Sequence, residues 1–183
     1  MRRYIFTGAP GAGKTALLGV LSDHGYQVVP EAATDVIALQ QANGVLQPWT
    51  DADFLTDILQ LQMVRQSCDR TAPVVLFDRS PVCTLALARY LGHPIPSDLT
   101  REVERLIADR IYERDVFLVR PLGFIEPTAA RRITYEDALA FEAVHESTYQ
   151  GLGFSLVEVL PDPVPIRAAK VVAAIAALDT WRT

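Results

Sequence analysis

Short runs of apolar residues alternate along the chain with longer stretches in which apolar and polar residues recur at helical spacing. Five of the short runs are bounded by charged residues, glycine or proline, which is typical of buried strands. The predicted strands cover Tyr4–Thr7, Gln27–Val29, Val74–Phe77, Val116–Val119 and Ser155–Val159. Strands that alternate with helices in this way predict an α/β domain with a parallel sheet.

Seven stretches between and after these strands are predicted as helices. They cover Lys14–Asp23, Ala32–Ala42, Asp53–Arg70, Val82–Leu91, Leu99–Tyr112, Tyr135–Tyr149 and Pro165–Leu178. Polar capping residues mark several of the starts, among them Ser97 or Asp98 before Leu99 and Thr134 before Tyr135.

One segment, residues 120–134, follows neither pattern. It contains two prolines and a glycine, and the paired arginines Arg131 and Arg132 lie near its end. Long loops in compact domains are more often functional than idle, so we expect a lid-like loop here. Because no repeat or Ser/Gly-rich linker interrupts the chain, residues 1–183 are expected to form one domain.

Composition and charge narrow the function classes. The 183 residues carry a net charge of −5, which argues against a general binder of nucleic acid or anionic membranes. No apolar run approaches the roughly 20 residues of a membrane span. The two cysteines, Cys68 and Cys83, are too few for a disulfide scaffold, so we expect reduced thiols in a cytoplasmic protein. The three histidines lack metal-ligand spacing, and His145 is interpreted as a surface or packing residue.

The strongest chemical signal is GAPGAGKT at residues 8–15, which matches GxxxxGK[ST] between a predicted strand and a predicted helix. Glycines let successive backbone N–H groups point inward at a phosphate, and the helix N-terminus adds positive potential. Lys14 is expected to reach the β- and γ-phosphates of ATP, and the Thr15 hydroxyl to bind Mg²⁺. The residues predicted to bind the nucleotide are Gly8, Gly11, Ala12, Gly13, Lys14, Thr15 and Ala16.

Two acidic residues follow predicted strands and are expected at the same edge of the sheet. Asp78 is predicted to lie near the metal as a Walker-B carboxylate. Arg79 beside it suits a substrate anion or the charge on a transferred phosphoryl group, with a simple Asp–Arg ion pair as the alternative. Glu31 is predicted to accept a proton from an acceptor hydroxyl, with a helix-start carboxylate as the alternative.

The ordered set of these segments resembles the P-loop nucleoside and nucleotide kinases, and nearest among them the small kinase-like AAA-domain ATPases that include the ribosylnicotinamide kinase domain. The resemblance spans nearly the whole chain. The segments that carry it are GAPGAGKT, VVPEAA, QPWTD, VVLFDRS, RRITYEDALAFEAVHESTYQGLGF and PDPVPIRAAKV. It implies a three-layer P-loop NTPase fold, in which a five-stranded parallel sheet of order 2-3-1-4-5 carries helices on both faces.

The resemblance also implies roles for single residues. It implies that Glu31 is the general base, that Arg79 assists the transfer, and that Arg131 and Arg132 are lid arginines that close over the phosphates. The chain departs from the deoxynucleoside kinases in having Asp-Arg-Ser, beginning at Asp78, where those enzymes usually carry Glu-Arg-Ser. It has no convincing sensor or arginine-finger pattern, so a ring-forming motor is not expected.

The acceptor is predicted to bind in the region between the second and third strands, because this region forms the acceptor pocket in the nucleoside kinases. Trp49 could stack on a planar group there, and Gln62 and Arg65 could offer hydrogen bonds. The alternatives are that Trp49 covers the apolar core and that the two polar side chains lie on a solvated helix face.

Two classes of function follow from these residues. The leading hypothesis is a Mg²⁺-dependent kinase that transfers the γ-phosphoryl group of ATP to a small nucleoside- or nucleotide-like acceptor. The alternative is a slow ATPase or GTPase, or a nucleotide-dependent switch that acts through a partner. A kinase needs a closed, dry cavity between the phosphate loop and the helix after Trp49, because water would otherwise take the phosphoryl group. The expected partner is a small molecule, without nucleic acid or membrane, and a homodimer is left open.

Overall fold

The computed structural model describes residues 1–51, 53–67, 71–123 and 134–180, without the side chains of residues 179 and 180. The strands are β1 (Arg2–Thr7), β2 (Gln27–Val29), β3 (Val74–Asp78), β4 (Asp115–Val119) and β5 (Ser155–Val159). The helices are α1 (Lys14–Asp23), α2 (Ala32–Ala42), α3 (Phe54–Ser67), α4 (Pro81–Leu91), α5 (Ser97–Ala108), α6 (Tyr135–Gly151) and α7 (Val164–Thr180). A short 3₁₀ helix covers Pro48–Thr50.

The five strands form one parallel sheet in the order β2-β3-β1-β4-β5, which confirms both the predicted fold class and the order implied by the resemblance. Phe6 near the end of β1 is in register with Asp78 at the end of β3 and with Phe117 of β4. The segments that follow β1, β2 and β3 therefore start from the same edge of the sheet, where α/β proteins bind their ligands.

Helices cover both faces of the sheet, so the three-layer prediction is confirmed. Ile5 of β1 belongs to a buried cluster with side chains of α3, α4, α5 and α6. Its neighbours Tyr4 and Phe6 point the other way and pack with α1 and α7. Because successive side chains of a strand face opposite layers, burial on both faces explains the nearly continuous apolar runs of the strands. None of the described helices combines the length and apolar character needed to cross a membrane.

The predicted bounds of α5 are wrong at both ends. The helix stops at Ala108, and Arg110 adopts a left-handed backbone conformation with φ 50°. The chain turns there so that Tyr112 enters the core, where its ring meets Phe77 edge-on with centroids 5.0 Å apart. At the other end, Pro96 is the N-cap residue, and no side chain in the described part of the chain caps the helix.

The predicted start of α6 and the predicted end of α3 differ in how they compare with the observed helices. The Thr134 cap of α6 is confirmed, because its Oγ1 accepts the N–H of Asp137 at 3.1 Å. The predicted end of the third helix at Arg70 lies outside the described residues.

Gly8 joins the sheet to the loop that follows β1, and we expect its replacement by alanine to destabilise the fold. A Cβ there would lie 2.3 Å from the Val119 carbonyl oxygen, and φ is +130°. We expect Gly8→Ala to lower the free energy of unfolding by more than about 3 kcal/mol, because rigid backbone has to move. The control Gly44→Ala, with φ +91° and nothing within 4 Å, isolates the conformational cost, which is about 1–2 kcal/mol. Equal losses in urea unfolding would contradict the steric explanation.

Candidate active site

The phosphate loop leaves β1 and enters α1 through glycines in left-handed conformations. Gly11 has φ 84° and Gly13, the residue before α1, has φ 80°, which side-chain-bearing residues rarely adopt. Among the described residues no side chain caps α1, and its first turn has no acidic residue. The first amides of the helix are therefore available for an anion, as the sequence predicts.

Residues far away in the sequence hold this loop from outside. The Glu142 carboxylate of α6 accepts the N–H of Ala9 at 3.3 Å, and Arg120 in turn donates to Glu142 at 2.8 Å. On the other side, the fully buried Arg167 of α7 donates to the Ala12 carbonyl at 2.9 Å. Both the amide of one loop residue and the carbonyl of another are thus fixed, which keeps the curl of the loop in place.

Lys14 is buried beneath the loop, and its ammonium group donates to the carbonyls of Gly8 at 3.2 Å and Ala9 at 3.1 Å. Burial, with the nearby charge of Arg79, lowers the pKa of Lys14 to about 8, although the Asp78 carboxylate acts against the shift. The ammonium group of Lys14 therefore lies beside the loop and can lose its proton at mildly alkaline pH.

This pKa predicts proton uptake when a nucleotide binds. Phosphate anions stabilise the charged ammonium group and raise the pKa of Lys14, so at pH 8 binding should take up about half a proton, falling towards zero at about pH 6.5. Calorimetry in buffers of different ionisation enthalpy measures the uptake. Lys14→Arg stays charged throughout and should bind without it; uptake that persists in this variant would contradict the assignment.

Glu31 and Arg79 form an ion pair at the carboxyl edge of the sheet. The Thr34 hydroxyl also donates to Glu31, at 2.9 Å. Burial alone would raise the pKa of Glu31, but the charges of Arg79 and Lys14 and the two hydrogen bonds outweigh it and hold the pKa below its ordinary value. Glu31 is therefore a carboxylate at neutral pH, and it faces the group that contains Lys14 rather than open solvent.

Asp78 ends β3 and is buried beside the same charges. Its Oδ1 atom makes no hydrogen bond to any described residue. Burial raises the pKa of Asp78, and the negative charge of Glu31 adds to the shift, while Lys14 and Arg79 oppose it. A buried carboxylate oxygen without a hydrogen-bond donor fits a cation or its bound water as the missing neighbour.

Arg79 is held by its backbone and by its guanidinium group. Its φ of 74° is unusual for a residue with a side chain, and its N–H donates to the Phe6 carbonyl at 3.0 Å. Nη2 donates to the Gly8 carbonyl and Nη1 contacts Nε2 of His145, both at 3.2 Å. With the Glu31 pair, these contacts fix the guanidinium between the phosphate loop and the predicted base.

A cavity of about 810 Å³ runs from the phosphate loop to the region of α3 and α4. The residues that line its phosphate end are Pro10, Gly11, Gly13, Lys14, Thr15 and Ala16. Glu31 and Arg79 line it as well. Its far end is mostly apolar and includes Trp49, Phe54, Ile58, Leu87, Tyr90 and Phe141.

The residues predicted to contact the acceptor are placed differently from one another. Trp49 and Gln62 line the cavity, and Trp49 also packs against the apolar cluster between α2 and α3. Arg65 is not among the lining residues; it donates to the Pro30 carbonyl at 2.9 Å and pairs with Asp35. The predicted lid arginines, Arg131 and Arg132, lie outside the described residues.

His145 has more contacts inside the site than its interpretation as a surface or packing residue suggests. It is fully buried, and its ring contacts Arg79, Thr7 and Phe141. A signal for its burial exists in the sequence, because Ala138 and Phe141 precede it at helical spacing on the same face of α6. The acidic residues beside it in sequence obscured that pattern.

A phosphate loop between β1 and α1, in a sheet of order β2-β3-β1-β4-β5, defines the P-loop NTPase fold. The family model of the AAA domain matches residues 3–167, and the chain belongs to this family. A search of curated proteins found no match.

Solved structures with the same fold include nucleoside kinases. Deoxyadenosine kinase from M. mycoides with the products dCMP and dCDP is 12% identical, with a TM-score of 0.64 over 96% of this chain and 99% of that chain. The structure of the same enzyme with bound dCTP is 14% identical, with a TM-score of 0.64 over 97% of this chain and 100% of that chain. The NadR protein in complex with NAD and AMP-PNP is 16% identical, with a TM-score of 0.59 over 87% of this chain but 44% of that chain. At these identities the likeness concerns the fold.

Proposed function

We propose that the protein is a small-molecule kinase that transfers the γ-phosphoryl group of ATP to a hydroxyl group of its acceptor. The observation that carries the proposal is the continuous cavity from the phosphate loop to Trp49 and α3. A switch or a slow NTPase needs no second compartment beside the phosphates, whereas a kinase needs one that excludes water. The deoxyadenosine kinase structures, which share this fold, support the same choice.

In the proposed reaction Glu31 is the general base. It accepts the proton of the acceptor hydroxyl while the oxygen forms a bond to the γ-phosphorus and the bond to the departing ADP oxygen breaks. Lys14 and Arg79 lie beside Glu31 and carry the positive charges that stabilise the transferred group. The depressed pKa of Glu31 keeps the base ionised, and its ion pair with Arg79, which also donates to the Gly8 carbonyl, holds it beside the phosphate loop.

Two residues would hold Mg²⁺ near the phosphates. Thr15 would bind the ion through its hydroxyl, and Asp78, whose Oδ1 is buried without a hydrogen bond to any described residue, would bind through water. When bound, the ion neutralises charge on the nucleotide phosphates. Arg131 and Arg132 complete the proposal as lid arginines, within a lid-like loop at residues 120–134.

The charges along the cavity favour a neutral acceptor over a phosphorylated one. Apart from Lys14 in the phosphate loop, Arg79 is the only cation that lines the cavity among the described residues, and Glu31 already pairs with it. Asp137 adds a further carboxylate to the lining. A phosphate group on the acceptor would be repelled by these carboxylates. We therefore propose a nucleoside-like acceptor with a flat, largely apolar body.

Gln62 is proposed to contact this acceptor. It is buried on α3, and the Thr84 hydroxyl donates to its Oε1 at 2.8 Å, which leaves the amide nitrogen as a donor for the cavity. We expect Gln62→Leu to lower kcat/KM for the acceptor by about 10- to 100-fold, because a buried hydrogen bond is lost. The KM for ATP should stay unchanged.

A matched control lies one turn further along α3. Gln66 is equally buried, but its side chain bonds to the Tyr112 hydroxyl at 3.1 Å and to Arg105, away from the cavity. Gln66→Leu should lower the unfolding temperature and leave acceptor kinetics intact. If both variants change the acceptor kinetics alike, Gln62 has no direct role in the pocket.

The proposed function is tested by measuring ADP release from ATP with a panel of nucleosides, nucleoside monophosphates and other hydroxylated metabolites. We expect nucleosides to accelerate release and monophosphates to leave it at the basal rate. Release that no acceptor accelerates would favour the NTPase or switch. Acceleration by monophosphates alone would show that the acceptor is already phosphorylated.

A further inference from the structure

His145 makes two hydrogen-bonding contacts in the interior of the protein, one with each ring nitrogen. Nε2 lies 3.2 Å from Nη1 of Arg79, and Nδ1 lies 3.0 Å from Oγ1 of Thr7. The side chain is 0% exposed. Its position therefore connects the last residue of β1 to the guanidinium group that lies beside Glu31.

Chemistry assigns the direction of these bonds. A guanidinium group only donates, so Nε2 of His145 is the acceptor and carries no proton. The ring proton of the neutral imidazole is then on Nδ1, which donates to Thr7. The Thr7 hydroxyl is left to donate to the Cys83 sulfur, 3.4 Å away. Burial and the charges of Arg79 and Lys14 hold the pKa of His145 well below its ordinary value, in agreement with a neutral ring.

We propose that His145 is a positioning residue, whose neutral imidazole accepts a hydrogen bond from Arg79 and orients the guanidinium toward the reacting phosphoryl group. The role rests on the proposed phosphoryl transfer. Without this acceptor, Nη1 of Arg79 would lose its fixed contact, and only the Glu31 pair and the bond from Nη2 to the Gly8 carbonyl would hold the guanidinium group. The left-handed backbone of Arg79 agrees with a side chain whose placement matters, since such strain is kept where the surroundings enforce it.

Two amide substitutions separate this role from simple packing. Asparagine matches the Nδ1 end of the ring, so His145→Asn keeps a donor for Thr7 and loses the acceptor for Arg79. Glutamine reaches the Nε2 end, so His145→Gln keeps the acceptor for Arg79 and loses the bond to Thr7. Packing alone would not favour glutamine over asparagine in turnover at equal stability.

The kinetic test measures ADP release, because both transfer to an acceptor and hydrolysis produce it. We expect His145→Asn to lower kcat by about 10- to 100-fold with little change in KM for ATP, since misplaced catalytic groups cost rate rather than binding. In His145→Gln, kcat should fall by no more than a few fold, because only the hydrogen bond to Thr7 is lost. In a variant that already carries Arg79→Met, adding His145→Asn should lower kcat no further, because His145 acts through Arg79.

A spectroscopic test needs no activity at all. In protein labelled with ¹⁵N-histidine, the signals absent from His145→Asn belong to His145, and we expect a neutral ring protonated at Nδ1. Its Nε2 signal should shift in Arg79→Met, where the donor is missing. A ring protonated at Nε2, or equal losses of kcat in the Asn and Gln variants, would overturn the proposal. If no acceptor accelerates ADP release in the wild type, the proposed kinase function fails, while the spectra still decide the contact.

Discussion

Lys14→Ala is expected to abolish measurable turnover of ATP, a loss of at least about 10²–10³-fold, because one fixed positive charge beside the transferred phosphoryl group disappears. The ammonium group of Lys14 donates to the carbonyls of Gly8 and Ala9. Burial disfavours its charge, which lowers the pKa of Lys14, so we expect the group to contribute little to the stability of the fold. ADP release measures turnover, and thermal unfolding shows whether the fold persists.

The chain offers a matched control for this variant, because Lys170 is its only other lysine. Lys170 is exposed on α7 and pairs with Asp162 at 2.7 Å, away from the cavity. Lys170→Ala should turn over ATP like the wild type. Turnover that survives in a folded Lys14→Ala variant would be incompatible with the role of the phosphate loop described here.

Glu31→Gln is expected to lower phosphorylation of the acceptor by about 10²–10⁴-fold while ATP binds as before, since the amide keeps the shape of the side chain and removes the base. The amide oxygen of the glutamine can still accept from Arg79, and its amide nitrogen can donate to the Thr34 hydroxyl, which reverses that bond, so the local structure should remain. Rapid-quench measurement of labelled acceptor phosphate gives the chemical step directly. Because the pKa of Glu31 is held below its ordinary value, the wild-type rate should fall through protonation of this group only at a pH below the ordinary range of a glutamate.

Asp35→Asn is the control for the loss of negative charge. Asp35 lies one turn further along in α2, but it pairs with Arg65 and does not line the cavity. Its amide variant should keep the wild-type rate. If Glu31→Gln also keeps acceptor affinity and turnover, Glu31 is only a carboxylate at the start of a helix, and the switch becomes the better explanation.

Local rules were sufficient to predict the residues that follow strands. The phosphate loop, Glu31, Asp78 and Arg79 each come directly after an apolar run, and parallel strands end at one edge of the sheet. Strand order along the edge was not available from the pattern, since apolar runs do not say which strands are neighbours. It came from the resemblance to P-loop kinases.

Residues that support the site from helices could not be predicted in the same way. Glu142 and Arg167 contact the loop from positions 133 and 155 residues away in the sequence, and a charged residue on a helix is ordinarily solvated. Their burial depends on how α6 and α7 pack, which is a property of the assembled layers. Arg65 shows the converse difficulty, because its helix is close to the cavity while its side chain bonds to Pro30 and Asp35.

The contact between Arg167 and the phosphate loop also has a consequence for the order of biosynthesis. A ribosome completes the phosphate loop well before the arginine that fixes the Ala12 carbonyl, which follows 155 residues later. Arg167 also donates to the carbonyls of Arg120 and Val159, so it joins the loop to the ends of β4 and β5. A nascent chain therefore contains the whole nucleotide-binding motif long before it has the support for it. We therefore expect the growing polypeptide to bind a nucleotide stably only once α7 has docked. At that point every strand of the sheet has already been synthesised.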